Sequence, residues 1–272
     1  MSFDLLKEVV SISAATRMKG KLKRRWPLEN ALICVGNGQK EILESLSDLL
    51  KSQINVEKFE IFETKNQEGL EQFIELKKLG LPVKPKIELE RKAIGPKAKQ
   101  DMGKLLQIFS ETNPDYIIEQ LDKTGSYTFN VGSNDIVLDR DDFVIGFDSN
   151  PDYQFSNRGN LVVILSVKRN QEMMAKGLVK DLARRLQTLR KERGYNPTDI
   201  LSKASILDLD QESFELVKTR IDEISFLVRV KQVDFEESCK EYKNDDVDGQ
   251  KIRISVESVS YTHLTLPTKR IV

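Results

Sequence analysis

One stretch constrains the chain more than any other: KGLVKDLARRLQTLRKERGYNPTDIL, from Lys176 to Leu201. Met174, Leu178, Leu182, Leu186 and Leu189 recur at helical spacing, so a helix predicted over 171–193 has one apolar stripe that must be covered. Lys176, Lys180 and Arg184 recur on another face, with Arg185, Arg190 and Lys191 flanking them. Gly194 supplies a left-handed cap and Pro197 prevents the helix from resuming. A helix of this kind is held by its leucines and offers its cations to solvent or to an anion.

A second basic segment surrounds KGKLKRRWPL, Lys19 to Leu28. Between Val9 and Leu28 there is no acidic residue, whereas Arg17, Lys19, Lys21, Lys23, Arg24 and Arg25 crowd one short span. Lys and Arg total 43, as do Asp and Glu, so net charge is silent and any polyanion signal must come from how the charges are distributed. The acid collects in 135–152 and 245–248. Cations along a helix end suit phosphate contacts, since neutralising a nucleic-acid backbone releases its counterions. A solvated face is the commoner case for such a run, and Trp26 reads as a core plug before it reads as a base-stacking ring.

Several chemistries lack their residues. The histidine count is 1, and His263 falls in the closing VSYTHLTLPTKRIV, a Thr-rich segment from Val259 that resembles a cloning or sequencing scar and is set aside as a non-native tail. Serine–histidine, cysteine–histidine and histidine–metal sites are therefore not expected. Cys34 and Cys239 lack metal or redox spacing, which suggests a reduced, cytoplasmic setting. No apolar run approaches the ~20 residues needed to cross a bilayer, so no membrane partner is expected. Gly36-Asn37-Gly38 lacks the third glycine of a dinucleotide loop, and no Gly-Lys-Ser/Thr phosphate loop occurs. Asp139-Arg140-Asp141-Asp142 reads as a hydrated turn, and Asp208 and Asp210 as helix-start residues. No catalytic, metal or cofactor site emerges.

The expected fold class is α+β. Helices are predicted over 3–21, 41–53, 98–109, 114–121, 171–193 and 211–221, with a less distinct one over 68–78. Strands are predicted over 28–35, 56–62, 86–91, 127–131, 136–138, 161–167, 204–209, 226–235 and 250–257. Ala93 to Lys97 reads as a turn, the acidic stretch 139–157 as a boundary between lobes, and Leu5, Leu6 and Val9 as apolar surface on a helix without a partner.

Three blocks, KLKRRWPLENALI, ERKAIGPKAKQDMGKLL and GLVKDLARRLQTLRKERGYNPTDIL, in this order, resemble the carboxy-terminal part of the isoleucyl-tRNA synthetases. The third is the most specific, with its glycine start, the pair Arg184-Arg185, and Arg190-Lys191 before Gly194. The resemblance implies that 1–26 is the last helix of an anticodon-binding bundle, followed by α/β lobes over 27–150 and 151–258 and the non-native tail over 259–272. It implies as partners tRNA and the remainder of the synthetase chain, without DNA. For a parent enzyme it implies ATP- and magnesium-dependent attachment of isoleucine to its tRNA, with hydrolytic editing, although this chain carries neither the His-Ile-Gly-His nor the Lys-Met-Ser-Lys-Ser signature. A zinc-binding tail found elsewhere in the family is missing its cysteines. The expected contacts are Arg17, Lys19, Lys21, Lys23, Arg24, Arg25, Lys176, Lys180, Arg184, Arg185, Arg190 and Lys191. The rival expectation, which the balanced charge favours, is a non-catalytic structural or protein-interaction module.

Overall fold

The structure, a computed structural model, describes residues 2–65, 68–132 and 134–258. The segment from Val259 with His263 lies outside the described residues. The chain is α+β and divides into two compact units, Met1–Arg24 with Leu28–Lys168, and Arg25–Pro27 with Arg169 onward.

The first unit runs α1 (Ser2–Lys19), β1 (Leu28–Gly36), α2 (Lys40–Glu44), α3 (Ser47–Ile54), β2 (Val56–Thr64), α4 (Gly69–Lys78), β3 (Val83–Leu89), α5 (Arg91–Ala98), α6 (Met102–Glu111), α7 (Pro114–Thr124), β4 (Ser126–Val131), β5 (Asn134–Asp139), β6 (Phe143–Ser149), β7 (Tyr153–Arg158) and β8 (Leu161–Ser166). Its main sheet has the order β2-β1-β8-β7, with β1 parallel to β2 and antiparallel to β8. Every residue of β8 is buried because both faces of the sheet are covered. Ala31, Ile33, Val163 and Leu165 pack with Leu6, Val9 and Ile12 of α1 and with Leu43, Leu50 and Ile54 of α2 and α3. Leu32, Cys34, Val162 and Ile164 face the insertion from α4 to β6, whose core includes Phe73, Leu105, Leu121, Phe129 and Leu138. Leu6 and Val9, expected as exposed apolar surface, are thus core.

The stretch 139–157 is no boundary. It contains β6, paired with β3 along its full length, and most of β7, which pairs with β8, so the chain divides only after Lys168. The acidic turn within it is more than a hydrated loop: Asp142 is buried, accepts from the Asp139 amide at 2.7 Å and pairs with Lys97 at 2.5 Å. Lys97 stands on α5, where a turn was expected, and Pro96 lies inside that helix. The single helix expected over 41–53 breaks into α2 and α3.

The second unit runs α8 (Gln171–Glu192), β9 (Leu201–Leu207), α9 (Gln211–Lys218), α10 (Ile221–Val228), β10 (Val230–Asp234), β11 (Lys243–Val247) and β12 (Gln250–Glu257). Its sheet order is β10-β9-β12-β11, with β9 and β10 parallel and β12 antiparallel to both β9 and β11. The strand expected over 226–235 is a helix as far as Val228. Ile221, Ile224 and Val228 have helical spacing and join the core, which outweighs the strand preference of their side chains.

The two units repeat one plan: helix, strand, two helices, parallel strand, then an antiparallel hairpin whose second strand pairs with the first. The likeness extends to atoms. Arg17, near the end of α1, is buried and donates to the carbonyls of Ile54 (2.9 Å), Asn55 (2.8 Å) and Lys23 (3.1 Å). Arg190, at the same place on α8, is buried and donates to the carbonyls of Val228, Arg229 (3.5 Å), Asn196 (2.9 Å) and Asp199 (2.9 Å). In both units the helix before the parallel strand ends on a left-handed residue, Asn55 (φ 53°) or Arg229 (φ 58°), whose carbonyl accepts from the first strand residue, Leu28 or Leu201. In both, that strand residue is in register with the valine after the cap, Val56 or Val230. The first unit differs by inserting α4 to β6.

Burial pushes the Arg17 guanidinium down to about 10, with the Arg24 charge adding to the effect, so it is still a cation at neutral pH. Replacing Arg17 or Arg190 by methionine strands several buried carbonyls and is expected to cost about 2–4 kcal/mol each in urea unfolding. Unchanged midpoints would contradict the stapling role.

Burial, reinforced by the Glu75 charge, pushes the Cys34 thiol up to about 12 from an unfolded value of 9.0. The folded chain therefore keeps this proton while the unfolded chain loses it, and the associated stability, complete below about pH 9, declines as pH rises toward 12. Melting temperature is expected to fall more steeply between these limits in the wild type than in Cys34→Ala, and equal slopes would count against it.

Candidate nucleic-acid interface

Helix α8 begins where Asn170 caps it, its side-chain oxygen accepting from the Met173 amide at 2.8 Å. Leu178, Leu182, Leu186 and Leu189 are buried in the core of the second unit. Each is worth roughly 2 kcal/mol of burial, so the apolar stripe fixes the roll of the helix and the cations take the faces that remain. The helix closes through Gly194 at φ 75°, as the sequence predicts.

The glycine at the start of the block has a steric cause. A Cβ on Gly177 would lie 2.4 Å from Cδ2 of Trp26, whose ring lies across the helix there. Trp26 is buried, and its indole N–H donates to the Asp181 carboxylate at 2.9 Å. Arg25 pairs with the same carboxylate at 3.7 Å, and the Arg169 guanidinium lies 5.2 Å from the indole ring centre. Trp26 is thus a core plug and not a stacking ring.

The structure distributes the twelve expected contacts among different roles. Arg17 and Arg190 are buried on backbone carbonyls. Lys19 reaches the Phe155 carbonyl at 3.3 Å and lies 4.4 Å from the centre of that ring. Arg25, Lys176 and Arg185 meet carboxylates: Asp181, Glu172 at 2.9 Å and Asp245 at 2.5 Å. Lys21, Lys23, Arg24, Arg184 and Lys191 are exposed, and Lys180 is half-buried. Lys180, Arg184 and Lys191 share one outward stripe of α8 with exposed Gln187 and Thr188, and none of the three has a carboxylate partner among the described residues. In the first unit Lys21 is exposed at φ 52°, a left-handed position that the second unit gives to Gly194.

Arg229 and Lys231 also present exposed cations in the second unit, and the sequence pattern did not single them out. The signal was available only in the likeness between Ile54-Asn55-Val56 and Val228-Arg229-Val230, which marks a helix-to-strand junction where a continuous strand was expected.

Alanine is about 1 kcal/mol better than glycine in a helix, yet Gly177→Ala is expected to destabilise, because the added methyl meets a rigid buried ring and overpacking costs ~1–3 kcal/mol. In a Trp26→Ala background the same change should become neutral or stabilising, as read by thermal melts. A stabilising Gly177→Ala in the wild type would show that the ring does not press on this helix.

No protein-family model matches the chain. Among curated proteins it is 31% identical over 197 residues to an isoleucine–tRNA ligase of Bacteroides fragilis, an alignment covering 72% of this chain and 16% of that protein. The isoleucine–tRNA ligase of Porphyromonas gingivalis is 24% identical over 257 residues, covering 94% and 21%. That of the archaeon Sulfolobus acidocaldarius is 23% identical over 264 residues, covering 96% and 23%. The chain thus spans about a sixth to a quarter of the length of these relatives. Most of its residues thus align to proteins of one name, isoleucine–tRNA ligase, from bacteria and an archaeon, and the chain is similar to one segment of them.

Proposed function

We propose that this chain holds tRNA for an isoleucine–tRNA ligase and does no chemistry of its own. The observation that carries the reading is the outward stripe of α8, where buried leucines force Lys180, Arg184 and Lys191 to face solvent without carboxylate partners among the described residues. Cations held this way attract a phosphate backbone without first having to break ion pairs of their own. Exposed Lys21, Lys23 and Arg24 add positive charge in the first unit. Arg17 and Arg190 contribute to the fold alone, since their guanidinium groups are already used by carbonyls. The names of the relatives supply the RNA class, and the anticodon end is the part we assign to this chain.

For the parent enzyme we propose isoleucine attachment to tRNA with ATP and magnesium. We assign neither group to this chain, whose sequence has no phosphate loop and whose described residues include no group of three or more His, Cys, Asp or Glu placed to hold a metal ion. No step of that reaction is assigned to them. The remainder of such an enzyme is the second proposed partner, for which exposed Phe3 and Met18 on α1 offer apolar contact.

Titrating isoleucine-accepting tRNA with the chain at several salt concentrations tests the reading. Arg184→Ala/Lys191→Ala is expected to lower the slope of log K against log salt by ~1.5–2, because about one counterion is released per phosphate contact. Lys21→Gly is expected to weaken binding several-fold while leaving the fold equally or more stable, since glycine accepts the left-handed backbone. Salt slopes indistinguishable from wild type in both variants would overturn the proposal.

A further inference from the structure

Around the end of α10 stand four exposed residues that the fold of the second unit does not require. Phe226 is 81% exposed, and Ile200, beside the β9–β10 junction, is 61% exposed. Arg229, three residues after Phe226, is exposed at φ 58° and ψ 55°, where a non-glycine side chain is strained, and it has no side-chain partner among the described residues. Lys231 follows on β10, an edge strand, and is exposed as well. Single exposed apolar residues are ordinary on protein surfaces, but here two of them flank a strained arginine.

The repeat supplies a comparison within the same chain. At the equivalent junction the first unit has Ser52, Asn55 and Glu57 in place of Phe226, Arg229 and Lys231. Asparagine tolerates the left-handed conformation, and Asn55 also donates to the Arg24 carbonyl at 3.1 Å. A fold that needs only a cap at this point therefore has a comfortable solution, and the second unit departs from it with an aromatic ring and two cations. The junction lies beside the basic stripe. Gln187 of α8 donates to the Leu227 carbonyl at 2.8 Å, and Arg190, next to Lys191, donates to the carbonyls of Val228 and Arg229.

We propose that Phe226, Arg229 and Lys191 form a subsite for one unpaired nucleotide of the bound RNA, which rests on the reading of α8 as an RNA-holding helix. The base stacks on the Phe226 ring, and Arg229 and Lys191 take the flanking phosphates. Asp222, one turn before Phe226, is exposed and repels phosphate, so the backbone leaves toward Arg229 and α8. Base stacking on an aromatic ring tolerates any base, so the subsite contributes affinity more than sequence selection.

The test measures binding of the 272-residue chain to isoleucine-accepting tRNA and to single-stranded oligouridine, by fluorescence anisotropy, together with melting temperatures. Phe226→Ala is expected to weaken both ligands by about tenfold, the scale of one lost stack. Phe226→Trp should keep affinity and gain a tryptophan emission that RNA quenches. Arg229→Asn should weaken binding several-fold while its melting temperature stays level or rises by about 1–3 °C, because asparagine relieves the strain. If both Phe226→Ala and Arg229→Asn bind RNA like wild type while Arg184→Ala/Lys191→Ala does not, the subsite is overturned and the α8 reading stands. If none of the variants changes RNA binding, both fall. Loss of binding in Arg229→Asn accompanied by a lower melting temperature would overturn the claim of strain held for a ligand and make Arg229 a structural residue.

Discussion

Each unit of this chain depends on one buried arginine. A parallel β-α-α-β crossover must bring the end of its second helix back against the start of its first strand, and the carbonyls at that helix end have no intrahelical partners. Arg17 supplies donors to Ile54, Asn55 and Lys23, and Arg190 to Val228, Arg229, Asn196 and Asp199. A guanidinium suits the task because its planar donors can serve several carbonyls at once, whereas a lysine offers a single point charge. Without these contacts the left-handed caps, the register of Leu28 with Val56 and of Leu201 with Val230, and the exit from the preceding helix would all lose their common anchor.

The staple also decides what the remaining cations are able to do. The chain is electrically balanced, and much of its positive charge is already engaged on carbonyls, rings and carboxylates: Arg25 on Asp181, Lys176 on Glu172, Arg185 on Asp245, Lys97 on Asp142. Each such pair removes a cation from service to an outside anion. What is left over is informative. Lys180, Arg184 and Lys191 stand on one stripe, Lys21 and Arg229 occupy left-handed backbone positions that the other unit fills with glycine or asparagine, and Phe226 presents an unpacked ring beside them.

Much of the fold could be read from the residues. The apolar period of α8, the Gly194 cap, the buried run of β8 and the β4–β5 hairpin follow from local rules that tertiary contacts do not overrule. The errors arose where they do. Ile221 to Val228 is rich in β-branched and aromatic residues and is nevertheless helical, because its buried positions fall on one side of a helix. Pro96 was expected in a turn and stands inside α5. The duplication is faint in sequence, with Arg17 and Arg190, Leu28 and Leu201, Ala31 and Ala204, and Ile33 and Ile206 agreeing at one constant offset, and the insertion of α4 to β6 obscures the rest. Charge spacing named twelve candidate contacts but could not distinguish an arginine turned inward from one turned outward, since both lie near the same helix ends.

The central claim is that the outward cations of α8, rather than all the cations of the basic segments, meet RNA. Lysine acetylation footprinting of the chain with and without isoleucine-accepting tRNA tests it directly. The account predicts that RNA protects Lys180, Lys191 and Lys21 and leaves Lys97 and Lys176, already paired with Asp142 and Glu172, at their protein-only reactivity. Protection confined to the α4–β6 insertion, or an unchanged Lys180 and Lys191 at saturating RNA, would contradict it.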